Sequence, residues 1–237
     1  MFLKIGIRIL AWLLVASLIM PSGIFAQTQG SPSTASSKYK QEELEQMIAP
    51  IALYPDDLLA QMFMASTYPL EIVEADRWVK ANPNLKGTQL ATSLEKQTWD
   101  PSVRSLVNFP SVLSMMSDKL DWTQNLGDAF LAQQKDVMNT VQRLRAKAQA
   151  NGSLKTTNEQ KVTTQAQTII IEPANPQVIY VPAYNPVVVY GAWPYPAYPP
   201  YPYYPPGAVV GASMVSFGIG VAVGAAWGYA WGNCNWN

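Results

Sequence analysis

The distribution of charge along the chain is the feature that most constrains its fold. The sequence contains 16 basic and 16 acidic residues, yet after Lys161 the only charged residue is Glu172. The first part of the chain can form helices with one polar and one apolar face, and can therefore fold in water. The uncharged remainder has to cover its apolar side chains against that first part, against a membrane or against another copy of the chain. We therefore expect two regions that are stabilised in different ways.

The absence of histidine excludes several kinds of active site. Ser-His-Asp and Cys-His catalysis need an imidazole, as do the histidine-containing metal sites, so we predict no metal and no cofactor. The balanced formal charge gives no electrostatic basis for binding nucleic acid. Cys234 is the only cysteine and cannot form a disulfide within the chain. In an oxidising compartment it would form an intermolecular bridge or stay a free thiol, and the simplest interpretation is a cysteine without a function.

Residues 1–26 have the organisation of a secretory signal peptide. Lys4 and Arg8 provide a positively charged start, an apolar stretch runs from Ile9 to Met20, and Ala26 is the small residue at the predicted cleavage site. The apolar stretch is short for a membrane span, although an uncleaved anchor is the competing interpretation. The sequence therefore predicts export to the periplasm or cell envelope. Removal of the two basic residues would leave a mature net charge near −2.

A helical region follows a short linker. Residues 27–39 are rich in serine, threonine and glutamine and are predicted to be flexible. Residues 40–152 show the periodicity of helices, and proline opens several of them, because a missing N–H is not needed in a first turn. The predicted helices begin near residue 40, Pro55, Pro69, Thr88, Pro101, Pro110 and Asp121, and the last one ends at Ala150. We predict a helical bundle with short turns.

Beyond residue 152 the pattern changes to short β-branched segments. Thr168–Glu172, Val178–Val181 and Val187–Tyr190 are bounded by proline and asparagine, which predicts short strands within residues 153–191. Residues 192–207 consist mainly of proline and tyrosine. Proline fixes φ and donates no hydrogen bond, so this segment is predicted to be an extended spacer of polyproline-II type. A ligand for an aromatic-lined groove is the alternative interpretation.

An apolar, glycine-rich segment occupies residues 208–232 and precedes a tail of residues 233–237. Its uncharged stretch from Val209 to Trp231 is long enough to span a bilayer. Four of its glycines recur every four residues, and on a helix this spacing lets a second backbone approach closely. They are Gly220, Gly224, Gly228 and Gly232. We predict membrane association or self-association through them, and the absence of a following lysine or arginine favours a peripheral or outer-membrane association over a standard stop-transfer helix.

Five motifs carry a resemblance to a known bacterial family. They occupy residues 52–61 (ALYPDDLLAQ), 65–69 (ASTYP), 99–103 (WDPSV), 109–113 (FPSVL) and 178–186 (VIYVPAYNP). Together they extend over residues 41–191, approximately, and resemble the family called domain of unknown function 3300. The resemblance implies a protein of the Gram-negative envelope, and it carries no activity or site residues over to this chain. Because family members often continue past the Trp-Gly-Asn-Cys-Asn element, it also implies a truncated or short form.

Four acidic residues are the candidates for a chemical site. Asp56 and Asp57 form one pair, and Glu71 and Glu74 form the other. Two carboxylates can hydrolyse a glycosidic bond without histidine, one as the acid and the other as the base or nucleophile. The simpler interpretation is structural, because both pairs lie in the first turn of a predicted helix, where negative charge favours the helix dipole.

The sequence as a whole predicts a mainly α protein. A helical bundle is followed by a small β element, a Pro/Tyr-rich spacer and a Gly-rich apolar C-terminal segment. The most direct interpretation is a non-catalytic envelope protein that binds a protein or cell-wall partner, with membrane association or homo-oligomer formation through its last segment. Two alternatives are open, a carboxylate-dependent cell-wall glycan hydrolase and a soluble periplasmic assembly factor that binds partners through its Pro/Tyr-rich rod.

Overall fold

A computed structural model of the chain describes residues 38–208, 210, 215–223 and 236. Within these residues the fold is mainly helical, as predicted. Helices α1 to α7 are Gln41–Ile48, Asp56–Ser66, Pro69–Ala81, Gly87–Leu94, Pro101–Leu106, Pro110–Asp118 and Leu120–Ala150. Each begins within about one residue of the position expected from the periodicity and the prolines.

Proline and side-chain caps set the starts of several helices. Pro69, Pro101 and Pro110 occupy the first turn of α3, α5 and α6. At α5 a side-chain cap is also present, since Oδ1 of Asp100 accepts a hydrogen bond from the backbone N–H of Ser102 at 2.8 Å. Such a cap bonds an N–H that the helix itself leaves unpaired.

The long helix α7 is the element against which α1 and α2 pack. The sequence predicts an apolar stripe on this helix, and four of its five residues are fully buried: Leu126, Val137, Val141 and Leu144. The fifth, Phe130, is partly buried and packs against the core. Each fully buried side chain contributes about 1.5–3 kcal/mol relative to an exposed one. The core of the protein therefore lies along one face of this helix.

A single residue interrupts α7, which the sequence predicted to be continuous. Gln133 has φ −151° and ψ 52°, so helical geometry is broken there. Its side-chain Oε1 accepts a hydrogen bond from the backbone N–H of Tyr39 at 2.8 Å, and its Nε2 donates to the carbonyl oxygen of Tyr39 at 3.1 Å. These two hydrogen bonds between the Gln133 amide and the Tyr39 backbone offset the backbone hydrogen bonds that the helix loses at the break.

Short strands follow the helices. They are β1 Gln160–Gln165, β2 Thr168–Pro173, β3 Val178–Ile179, β4 Pro182–Ala183, β5 Ser216–Phe217 and β6 Val221–Ala222. β1 and β2 form an antiparallel hairpin, while β3 pairs with β6 and β4 with β5. Strands near residues 168–172 and 178–181 are thus confirmed. Ile169 and Ile171 of β2 are buried, so the hairpin packs on the helical core.

The strand predicted at Val187–Tyr190 is wrong, because Pro186–Val189 forms a short helix, α8. Oδ1 of Asn185 accepts a hydrogen bond from the backbone N–H of Val187 at 3.1 Å and so caps the helix. Nδ2 of Asn151, just after α7, donates to the carbonyl oxygens of Val188 and Val189. These contacts outweigh the β propensity of three consecutive valines.

The described part of the glycine-rich segment is extended. β5 and β6 run antiparallel to β4 and β3, and the register shifts by one residue between the two pairs. Gly218, Ile219 and Gly220 therefore form a bulge, in which Ile219 is 95% exposed. A side chain at Gly220 would lie 2.5 Å from Cγ1 of Val178. Gly220 thus lies beside a short strand, so the helical spacing considered for the glycines does not apply at this position.

Other predictions fall outside the described residues. The signal peptide of residues 1–26, most of the linker, and Gly224, Gly228, Gly232 and Cys234 are among them. None of the helices in the described residues combines the length and the hydrophobicity that crossing a bilayer requires. Membrane association or self-association through the glycines stays a prediction.

We predict that Gly127→Ala destabilises the protein. A methyl group at residue 127 would lie 2.6 Å from the carbonyl carbon of Ser66, where α7 passes the end of α2. Backbone atoms cannot rotate away, so we expect the free energy of unfolding to fall by about 1–3 kcal/mol, despite the better helix propensity of alanine. Urea denaturation measures the change. Gly218→Ala is the control, because among the described residues no atom beyond its two chain neighbours lies within 4 Å of the added Cβ. Equal losses in the two variants would contradict the prediction.

Candidate functional site

Arg145, on α7, is completely buried. Its Nε donates a hydrogen bond to the carbonyl oxygen of Ala52 at 2.9 Å, and its Nη2 donates to that of Tyr54 at 3.0 Å. Its Nη1 donates to Oδ1 of Asp56 at 2.6 Å and to the carbonyl oxygen of Ile169 at 2.8 Å. A buried charge is tolerated when it is paired and its donors are bonded. The guanidinium therefore joins α7 to the segment before α2, to the start of α2 and to β2.

Asp56, one of the four candidate acids, is fully engaged in this network. Its Oδ1 also accepts a hydrogen bond from the backbone N–H of Ile171 at 3.2 Å. Its Oδ2 accepts one from Nε1 of Trp236 at 2.8 Å, and the Trp236 ring centre lies 4.8 Å from the guanidinium carbon of Arg145. The carboxylate is neutralised and covered, which suits a structural role rather than acid–base chemistry.

Asp57 has a different environment from its neighbour. It is partly buried, and burial raises the pKa of its carboxyl above the ordinary value, with smaller contributions from the like charges of Asp56 and Glu172. Glu172 is itself more than half exposed and lies 3.6 Å from Nζ of Lys161. Asp57 is thus the candidate acid whose proton affinity is altered in the way general acids require.

Glu71 and Glu74 connect α3 to the start of α5. Oε2 of Glu71 accepts a hydrogen bond from the backbone N–H of Asp100 at 2.6 Å. Oε2 of Glu74 accepts one from Nε1 of Trp99 at 3.2 Å. Glu71 lies in the first turn of α3, as predicted, whereas Glu74 lies one turn further along. Both carboxylates position the Trp-Asp-Pro motif.

Two buried tyrosines, Tyr184 and Tyr190, hold the segment around α8 against the loop after α1. The hydroxyls of Tyr184 and Tyr190 donate hydrogen bonds to the carbonyl oxygen of Ala49 at 3.0 and 2.8 Å. Burial raises the pKa of both, and that of Tyr54. The hydroxyls therefore stay protonated. Those of Tyr184 and Tyr190 serve as hydrogen-bond donors, and the ring of Tyr54 packs in the apolar core.

Sequence reasoning missed Arg145 and the tyrosines. A signal for Arg145 was present, because it shares the spacing i, i+3, i+4, i+7 with Val141, Leu144 and Ala148, which places a charge on the apolar face of α7. A charge on that face requires a buried partner. The sequence does not show which acid is the partner of Arg145, since Asp56 lies 89 positions away.

A groove with a volume of about 380 Å³ lies between the α2–α3 corner and α7. Its described lining residues are Ser66, Thr67, Pro69, Gln124, Asn125, Gly127, Asp128 and Leu131. Leu131 is 71% exposed, and Leu70, which follows Pro69, is 72% exposed. At one edge Nζ of Lys38 lies 2.5 Å from Oδ2 of Asp128. The groove thus combines the exposed apolar side chain of Leu131 with a single carboxylate among its described lining residues.

The sequence profile of the family described as Protein of unknown function (DUF3300) matches residues 40–237. The chain belongs to this family. It is also 44% identical over 201 residues to the Uncharacterized protein YacH of Escherichia coli (strain K12), in an alignment that covers 71% of this chain and 33% of YacH. The chain therefore spans about a third of the length of that relative. No solved structure matches.

Membership of this family, expected from five motifs, is confirmed, and neither the family description nor the name of the relative states an activity. In the structure two of these motifs meet. The segment from Ala52 to Asp56 receives the bonds of Arg145, and the hydroxyl of Tyr184 accepts from the backbone N–H of Leu53 at 3.2 Å. No cluster of acidic, cysteine or histidine side chains suited to a metal ion occurs in the described ranges.

We predict that Arg145→Met destabilises the protein by about 3–5 kcal/mol, because it leaves Asp56 buried without its counter-charge. Lys161→Met removes one partner of the exposed ion pair with Glu172, and should change the free energy of unfolding by less than about 1 kcal/mol. Urea denaturation of both variants at neutral pH measures the two effects. The double variant Arg145→Met/Asp56→Asn should regain part of the loss. Similar losses for Arg145→Met and Lys161→Met would contradict the role of the network.

We predict that the stability of Asp57→Asn, relative to that of the unmodified protein, increases as the pH rises. The folded protein binds the Asp57 proton more tightly than the unfolded chain does, whose carboxyl has the ordinary pKa of 3.8. Stability from the protonated carboxyl is therefore lost as pH rises from that value through the higher folded pKa. The thermal midpoint of Asp57→Asn minus that of the unmodified protein should be larger at about pH 7 than at about pH 4. An equal difference between the two thermal midpoints at both pH values would contradict the prediction.

Proposed function

We propose that this protein is an exported, non-catalytic protein of the cell envelope that binds a partner protein through the groove between the α2–α3 corner and α7. The observation that carries the proposal is the groove itself. Met64 and Tyr68, on the corner, are exposed together with Leu70 and Leu131. Leu131 lines the groove, and the other three side chains lie on or next to the helix corner that forms one of its walls. Exposed apolar side chains beside a polar depression are typical of protein interaction sites.

Charge defines the partner that this groove fits. Asp128 is the charged residue among the described lining residues, and its partner Lys38 is half exposed. Exposed ion pairs contribute at most about 1 kcal/mol, so a lysine or arginine of another protein can replace Lys38. The partner is therefore a protein segment that presents an apolar side chain beside a basic one.

Export is supported by the sequence. The positively charged start, apolar stretch and small residue at position 26 are the three parts of a secretory signal. The uncharged segment of residues 208–232 suits the envelope, where it would associate with a membrane surface or with a second copy. Ile219, at 95% exposure, is a described side chain available for such an association.

The contacts of the acids weigh against a glycan hydrolase. A two-carboxylate mechanism needs an acid and a second free carboxylate beside the scissile bond. Asp56, Glu71 and Glu74 accept hydrogen bonds from groups of the protein itself. The hydrolase proposal therefore depends on Asp57, with the exposed Glu172 as its nearby acid.

A photo-crosslinking amino acid at position 131 of the full chain tests the proposal in Gram-negative cells. We expect a discrete crosslinked partner in the periplasmic or envelope fraction, absent when the crosslinker replaces exposed Asn158 and absent when residues 1–26 are deleted. Asp128→Asn, which keeps the side-chain shape and removes the charge, should weaken the crosslink several-fold.

Three results would overturn the proposal. Identical products at positions 131 and 158 would show that the groove has no selectivity. A crosslink unchanged in Asp128→Asn, with the thermal midpoint also unchanged, would remove the charge argument. Release of soluble saccharide from isolated cell walls by the unmodified protein, but not by Asp57→Asn, would establish the hydrolase in its place.

A further inference from the structure

Residues 192–206, here named the strap, lie on α1 and α7. Nε2 of Gln46 donates a hydrogen bond to the carbonyl oxygen of Pro199 at 2.6 Å. Nε2 of Gln41 donates to the hydroxyl of Tyr195 at 3.1 Å. Two side chains of α1 thus bind two points of the strap directly.

Aromatic rings and cations supply the other contacts. The Trp122 ring meets that of Tyr203 edge to face, with centroids 5.7 Å apart, and Nζ of Lys119 lies 5.3 Å from the Tyr203 ring centre. Nζ of Lys147 lies 5.5 Å from the Trp193 ring centre. A cation over an aromatic face contributes about 0.5–1 kcal/mol at an exposed site. The strap is therefore held chiefly by its aromatic rings.

The surface beneath the strap is preorganised. Trp122 is buried, and its Nε1 donates a hydrogen bond to the carbonyl oxygen of Met47 at 2.9 Å. Lys147 is held 2.5 Å from Oε2 of Glu45, which is also buried. These side chains do not depend on the strap for their position. We name this surface, formed by Gln41, Gln46, Lys119, Trp122 and Lys147, the strap face.

The strap face has the chemistry that recognises proline-rich chains. Residues 199–205 form no helix, strand or turn, and Pro200 has no N–H with which to form a ladder. Such a chain leaves its carbonyl oxygens free, and a groove that binds it offers aromatic rings and a side-chain donor. Trp122 and the Gln46 amide provide these two elements. The predicted rod is interrupted at Pro196–Ala197, where a turn closes from the N–H of Tyr198 to the carbonyl oxygen of Tyr195.

Both ends of the strap carry glycines in a left-handed conformation. Gly191 has φ +68° and Gly207 has φ +80°. The strap makes one backbone hydrogen bond within itself, from Tyr198 to Tyr195, and the carbonyl oxygen of Pro205 accepts another from the N–H of the adjacent Ala208. A segment attached mainly by side chains can leave its surface without breaking a sheet or a helix.

We propose that the strap face is a binding site for proline- and tyrosine-rich extended segments, that the strap occupies it in cis, and that such a segment of a partner protein takes its place. The strap itself defines the ligand chemistry. A tethered segment has an effective concentration of about 1 mM, so modest contacts suffice to keep it bound. This inference is independent of the groove at the α2–α3 corner, and the two can fail separately.

The test uses a fluorescein-labelled peptide with the sequence of residues 192–206 and a full-length variant whose strap is replaced by a Gly/Ser linker of equal length. Fluorescence anisotropy should show saturable binding to the strapless variant, with half-saturation at or below about 1 mM, because the cis strap stays bound at that effective concentration. Binding to the unmodified protein should be at least several-fold weaker. Gln46→Ala in the strapless variant, and a peptide with alanine in place of every proline, should each weaken binding.

A second variant keeps the inference testable should the strapless protein not fold. Tyr203→Ala in the intact chain weakens the cis strap and leaves the strap face unchanged, so peptide binding should increase relative to the unmodified protein. No binding of the labelled peptide to either variant at several millimolar protein would overturn the inference. Equal binding to the unmodified protein and to both variants would do so too, because the peptide would then bind elsewhere.

Discussion

The buried guanidinium of Arg145 is the interaction on which the rest of the structure depends. A charge without water is stable only when its donors are bonded, so α7, the segment before α2, and β2 must all be in place together. Trp236 adds a ring over the cation and a bond to Asp56. Segments that are distant along the chain are thereby joined at one point, which favours cooperative folding of the described core.

In the described residues, much of the uncharged second half packs on the first half, which removes its apolar side chains from water. Tyr184 and Tyr190 bond to the loop after α1, and the strap lies on α1 and α7. What this covering leaves open defines the surfaces available for function. The α2–α3 corner keeps its apolar side chains exposed beside Asp128, and the strap face is covered by side-chain contacts that can be exchanged.

Local patterns predicted local structure well. Periodicity and proline placed the helices, because a helix start depends on neighbouring residues. The strand expected at Val187–Tyr190 failed because Asn185 and Asn151 supply hydrogen bonds that β propensity does not include. Gln133 interrupts α7 because its amide pairs with Tyr39, 94 positions earlier. The four acids were recognised as candidates, yet their bonding partners, which separate Asp57 from the other three, were not.

The amino-acid sequence by itself determined the helical first half, its proline-marked turns, and the uneven charge that requires the second half to be covered. These properties arise from neighbours along the chain and from composition. Only the tertiary structure decided that Asp56 bonds to Arg145 and Trp236, that residues 216–217 and 221–222 are strands, and that the strap lies on α1 and α7. Each of those outcomes rests on contacts between residues far apart in the chain, such as Asp56 with Trp236, 180 positions away. Only folding brings such residues together, and no local pattern encodes which of them will meet.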